Sequence, residues 1–163
     1  MNGRQAVKNC IQQADNIVQA YLKDLAEADL LVRPTPGINH IAWQLGHLIQ
    51  SEHDLVDGIL PGTMPALPAD FGKKFTTDTA ARDDAASFLK KDEYLKLYEQ
   101  QRAGTLAALE KITDADLDQP APEQFRSFAP TVGDLFIMQG THWLMHAGQW
   151  AVIRRKLGRP PLF

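Results

Sequence analysis

Apolar residues recur at three- and four-residue steps along four stretches of the chain, the spacing that gathers side chains onto one face of an α-helix. Val7, Cys10, Ile11, Ala14, Ile17, Val18, Tyr21, Leu22 and Leu25 form the first stripe, which predicts a helix running to about Ala28. Arg33-Pro34-Thr35-Pro36-Gly37 ends it, because proline lacks an N–H and pushes the residue before it out of helical geometry. Asn39 is the expected N-cap of a second helix with Ile38, Ile41, Leu45, Leu48, Leu55, Val56 and Ile59 on its stripe. Leu60-Pro61-Gly62 closes it. From Pro61 to Thr79 there are three prolines, two glycines and no helical period, so this stretch reads as a long crossover loop. A short helical piece is expected over Ala80–Leu89. Asp92 is the expected cap of a third helix carrying Leu95, Tyr98, Thr105, Leu109 and Ile112. After the breaker Asp118-Gln119-Pro120-Ala121-Pro122, Pro130-Thr131 offers a cap for a fourth helix, Val132–Leu157, stopped by Gly158 and Pro160-Pro161. No segment alternates as a strand does. The pattern predicts an all-α protein: a four-helix bundle with a long crossover between helices 2 and 3.

Composition narrows the picture. With 163 residues, 44% of them hydrophobic, the chain suits a single domain spanning residues 1–163 with one buried core. A net charge of −3, with basic residues scattered apart from Arg154-Arg155-Lys156, argues against nucleic acid as the main partner. That basic run is expected to be a solvated helix C-terminus that complements the dipole. No apolar stretch approaches the length of a membrane span, and no apolar leader opens the chain, so a cytoplasmic protein without a membrane partner is expected. Cys10 is the lone cysteine, which excludes an intrachain disulfide.

The candidate chemistry lies in the histidines. His142 and His146 are four residues apart, one helical turn, so both imidazoles can reach one ion. Leu135, Gln139, Gln149 and Ile153 share their face, which turns the pair toward the bundle interior, where unpaired histidines are costly. A divalent ion needs a third protein ligand, from His40, His47, His53 or an acid on another helix. Helical periodicity does not choose among them. The stripe of the second helix centres near Ile41, Leu45 and Glu52, and His47 lies roughly 130° away beside Trp43 and His40. Two charges also interrupt the apolar stripes, Glu52 on helix 2 and Arg102 on helix 3. Burial of either alone is expensive, so they are expected to pair across the bundle; the alternative for Glu52 is a bond to a ligand histidine that fixes its tautomer. Trp143 and Trp150 lie off the histidine face and are expected to pack on a neighbouring helix or a second subunit. Leftover apolar surface on helix 4 makes a homodimer the expected assembly.

Three segments resemble the DinB/YfiT-like family of metal-binding four-helix bundles. They are Ile41-Ala42-Trp43-Gln44-Leu45-Gly46-His47-Leu48 followed by Glu52, the run from His142 to His146 with Gly148-Gln149, and Arg154 to Pro161. The resemblance implies a bundle in which three histidines hold one divalent metal ion, and the family's ligand positions fall on His47, His142 and His146. His40 and His53 match no ligand position and are expected on the helix surface. Zinc, nickel or iron would suit three imidazoles, and a three-ligand site leaves a position open for water or substrate. The family includes thiol-dependent S-transferases and hydrolases, which implies a small-molecule substrate and, for the former, a low-molecular-weight thiol. The substrate is expected beneath the Pro61–Thr79 loop, against Trp43, Phe71 and Phe75, with Glu52, Gln139 and Gln149 as further pocket or supporting groups. No general base stands beside the histidine pair, since Gln139 and Gln149 cannot take a proton, and this favours thiol transfer over hydrolysis. The competing reading is a non-catalytic metal-binding or stress-related helical dimerisation module.

Overall fold

A computed structural model describes residues 1–163. It contains four long helices, α1 (Gly3–Leu22), α2 (Ile41–Ile59), α3 (Lys91–Glu110) and α5 (Val132–Lys156), with a one-turn α4 (Asp114–Leu117) before the last. There is no strand, only an isolated bridge between Pro120 and Thr131 at the foot of α5. No helix is long and apolar enough to cross a membrane.

The core fixes the direction of each helix. One end of the bundle gathers Val7 from the start of α1, Val56 from the end of α2, Leu109 from the end of α3, and Val132 and Phe136 from the start of α5. The other end gathers Val18 and Leu22, Ile41 and Leu45, Tyr94 and Tyr98, and Trp150 and Ile153. Helices α1 and α5 therefore run one way, and α2 and α3 the other. Consecutive parallel helices need a connection that travels back along the bundle. The 19 residues of α2 rise about 28 Å, so the long crossover is a requirement of this topology.

The crossover is built from short 3₁₀ turns at Phe71–Lys74, Thr77–Thr79 and Ala85–Ser87. The short helical piece expected over Ala80–Leu89 is limited to the 3₁₀ turn at Ala85–Ser87. Its carbonyls are satisfied from elsewhere: Arg33 donates to Ala80 O and Arg82 O, and His40 Nε2 lies 3.0 Å from Arg82 O. Phe71 and Phe75 are buried in the core, and Phe75 lies so close to α2 that a Cβ on Gly46 would stand 2.2 Å from its ring. These aromatics pack the crossover onto α2. Helix α1 and helix α5 also approach closely, with Gly140 facing Cys10 at a distance that leaves little room for a side chain.

Element ends differ from expectation in three places. The first helix stops at Leu22, because the Lys91 ammonium takes the carbonyls of Leu22 and Leu25 at 2.7 and 2.5 Å. Leu25 and Leu30 remain buried, the latter on a 3₁₀ turn, Glu27–Leu31. The cap of α2 is His40, whose Nδ1 accepts the Trp43 N–H at 3.1 Å, and Asn39 lies one residue outside. Lys90 occupies the N-cap of α3, with the Glu93 carboxylate accepting its N–H at 2.8 Å, and Asp92 falls inside the first turn. Thr131 caps α5 as expected, paired reciprocally with Asp134.

The two stripe-breaking charges meet. Arg102 Nη1 lies 3.2 Å from Glu52 Oε1, and its Nε lies 2.9 Å from Asp15 Oδ1. Glu52 also accepts the Thr105 hydroxyl at 2.5 Å and the Trp143 Nε1–H at 2.9 Å. Trp150 donates to Gln44 Oε1 at 2.7 Å. Both tryptophans are thus interior anchors between α5 and α2 and do not face a second subunit. Arg154 is not solvated either: it is buried, bonded to Asp24, and lies over the Tyr21 ring.

Candidate metal centre

Helix α2 brings His47, and helix α5 brings His142 and His146, to one place between the two helices. One ring nitrogen from each lies within 4.8 Å of the others, a grouping able to hold a metal ion. The ring centroids of His47 are 5.2 Å from His142 and 5.7 Å from His146, and the α5 pair are 5.1 Å apart. All three side chains are partly buried. His47 is held on its far side by Trp43, whose indole stacks on it at 5.1 Å and 11°. The Trp43 Nε1–H is in turn fixed to Thr79 Oγ1 at 3.1 Å.

Burial sets the protonation of the cluster. It lowers the pKa of His47. Burial together with the neighbouring histidines holds His142 and His146 at about 4. At neutral pH the site presents three uncharged imidazoles, the form that binds metals. None of the three makes a hydrogen bond to the protein, and His146 Nδ1 is shut from solvent with no partner. A buried nitrogen of this kind normally has one. The donor set therefore fits a divalent ion of intermediate softness.

The other two histidines are already satisfied. His40 is fully buried, not on the surface. The Arg82 carbonyl can only accept, so Nε2 carries the proton and Nδ1 receives the Trp43 N–H. His53 faces Gln101 Oε1 through Nδ1 at 3.1 Å, and Gln101 donates to Pro65 O. Sequence reasoning that weighed only helical angle had no means of separating His40 from His47.

The remaining candidate residues sit around the cluster with partners of their own. Gln44 Nε2 donates to Gln149 Oε1 at 2.6 Å, and Gln139 donates to Leu135 O at 2.6 Å. Glu52 is committed to Arg102, Thr105 and Trp143. Asp15, absent from the sequence-based candidates, completes that charge network; a carboxylate on a helix shoulder gives no local sign of its role. The crossover does not roof the histidines. The cleft below it, about 740 Å³, is lined by Gln50, His53, Asp54, Asp57, Met64 and Phe71 among others, and by none of the three histidines. Phe71 and Phe75 are buried, and the crossover is tied to the cluster by the bond between Thr79 and Trp43.

A family model described as the DinB superfamily matches residues 11–150. Among solved structures, a conserved protein from Enterococcus faecalis has the same fold, with a TM-score of 0.71 over 98% of this chain and 99% of that one at 16% identity. No curated protein matches the chain.

Proposed function

Since this chain belongs to the DinB superfamily, we propose that it is a metal-dependent enzyme in which His47, His142 and His146 hold one divalent ion, zinc, nickel or iron. The reaction is thiol-dependent transfer to a small electrophile, with hydrolysis of a small molecule as the second candidate. The observation that carries this reading is the convergence of three neutral imidazoles within 4.8 Å, one of them with a buried nitrogen that has no partner, while His40 and His53 are each bonded. When bound, the ion would supply Lewis-acid activation of a thiol or water near neutral pH.

The chain's own contribution is positioning. Trp43 and Thr79 hold the His47 ring, and partial burial keeps all three rings uncharged. Proton transfer by the protein is poorly supported, which favours the thiol. The buried acid of α2, Glu52, is bonded to Thr105 and Trp143 beside Arg102, and the nearby amides cannot take a proton. A thiol, more acidic than water, depends less on a protein base. Cys10, the lone cysteine and unpaired, suits a reducing, cytoplasmic setting.

Elemental analysis of protein purified without chelator, beside His142→Ala, tests the site: one equivalent of metal in the former and little in the latter is expected. Metal-loaded protein should then turn over an epoxide or quinone with at least one member of a thiol panel. Full metal occupancy with no turnover would leave a metal-binding module and remove the enzymatic reading.

A further inference from the structure

Between Asp134 and Arg155 the one charged residue of helix α5 is Arg154, which is buried on the opposite side of the helix. On its solvent side Ile137, Met145 and Val152 are 39%, 62% and 47% exposed, and Thr141 and Gly148 between them are exposed as well. At 100° per residue these five fall within an arc of about 80°, on the side of the helix away from its buried residues. They form one uncharged stripe about 22 Å long. The same arc holds Asp134 in the first turn and Arg155 in the last. Arg155 has no bonding partner in the fold, and the cap uses only Oδ2 of Asp134.

The positions are self-complementary. In an antiparallel pair of α5 helices related by a twofold axis between Leu144 and Met145, Ile137 faces Val152 of the second copy and Thr141 faces Gly148. Asp134 then faces Arg155 at both ends. A Cβ built on Gly148 has nothing within 4 Å, so the absent side chain leaves space for the opposing Thr141. A parallel pair would instead set Asp134 against Asp134 and Arg155 against Arg155, and would align the helix dipoles unfavourably. We propose that the outer face of α5 is the interface of an antiparallel, isologous homodimer, with the second copy of this chain as its occupant. One helix face is smaller than the ~800 Å² per partner of a standard stable interface, so the dimer is reversible and concentration-dependent. This inference is independent of the metal-site reading, since none of its residues is a histidine of the cluster.

The test is sedimentation velocity across a concentration series, together with cysteine cross-linking in a Cys10→Ala background. A monomer–dimer equilibrium is expected for the native chain, shifted to monomer by Met145→Glu, with unchanged helical content by circular dichroism. Under mild oxidation Met145→Cys should cross-link to itself across the axis. Ile137→Cys should cross-link to Val152→Cys in a mixture of the two proteins, and neither of that pair should link to itself. A monomer at every concentration, leaving the stripe to another protein or to none, overturns the proposal. So does a dimer indifferent to Met145→Glu, or self-linkage of Ile137→Cys.

Discussion

The indole of Trp43 lies parallel to the imidazole of His47, one helical turn away, and is itself pinned to the crossover by its bond to Thr79. The chain of contacts from the loop to the histidine fixes the ring's orientation without a hydrogen bond to the ring. Trp43→Phe keeps a stacking surface but drops the N–H, and Thr79→Val removes its acceptor. Each is expected to weaken metal binding roughly tenfold, the lower range for outer-shell changes at metal sites. Competition with a chromophoric chelator measures it, and native affinity in both variants would sink the positioning role.

Protonation of the cluster gives a pH dependence with a definite sign. In the unfolded chain these histidines take up protons near 6.5, whereas in the fold His142 and His146 do so only near 4. Between these values the unfolded state binds more protons, so the metal-free protein loses stability as pH falls from about 6.5 toward 4. Urea midpoints at pH 7 and pH 5 should therefore drop more for the metal-free native chain than for His146→Gln. Equal drops would contradict the neutral, buried state of the pair.

Removing Arg102 should be far more damaging than replacing its whole network. Arg102→Met leaves Glu52 buried beside Asp15 without a countercharge and is expected to cost about 3–5 kcal/mol at pH 8. Adding Glu52→Gln to that variant should recover part of the loss, because the neutral amide can accept the Trp143 N–H through its oxygen and donate its own N–H to the Thr105 hydroxyl without carrying a charge. Urea denaturation of the two proteins provides the comparison.

The crossover is held to α2 by shape. Gly46→Ala drives a methyl group into the Phe75 ring, where a Cβ stands 2.2 Å away, and overpacking of this kind costs about 1–3 kcal/mol. A lower melting temperature and faster proteolysis within residues 60–90 are expected, and Phe75→Leu in the same chain should relieve the clash in part.

Much of the fold was legible along the chain because helical period is a property of the local backbone. The apolar stripes placed all four long helices, Thr131 announced the start of α5, and Pro61–Thr79 marked the crossover. The early stop of the first helix and the irregular stretch after Ala80 have causes distant in sequence: a side chain from another element, Lys91 or Arg33, satisfies carbonyls that a helix would otherwise use. Glu52 and Arg102 were recognisable as a pair because each alone breaks an apolar stripe. Asp15 broke none.

The histidines divide along the same line. Spacing alone put His142 and His146 on one face, since four residues make about one turn of any α-helix. The third member of the cluster could not be read that way. A helical wheel assigns function by angle and assumes one buried side, but Ile41 through Gly46 are all buried, so angle carries little information there. What separates His47 from His40 is which nitrogens remain without a partner, and that depends on where α5 and the residue-82 carbonyl come to rest. Local sequence determined the helices and the paired imidazoles; only the packing of α2 against α5 and the crossover decided which histidine joins them, because convergence between helices is a property of their relative placement and not of either one.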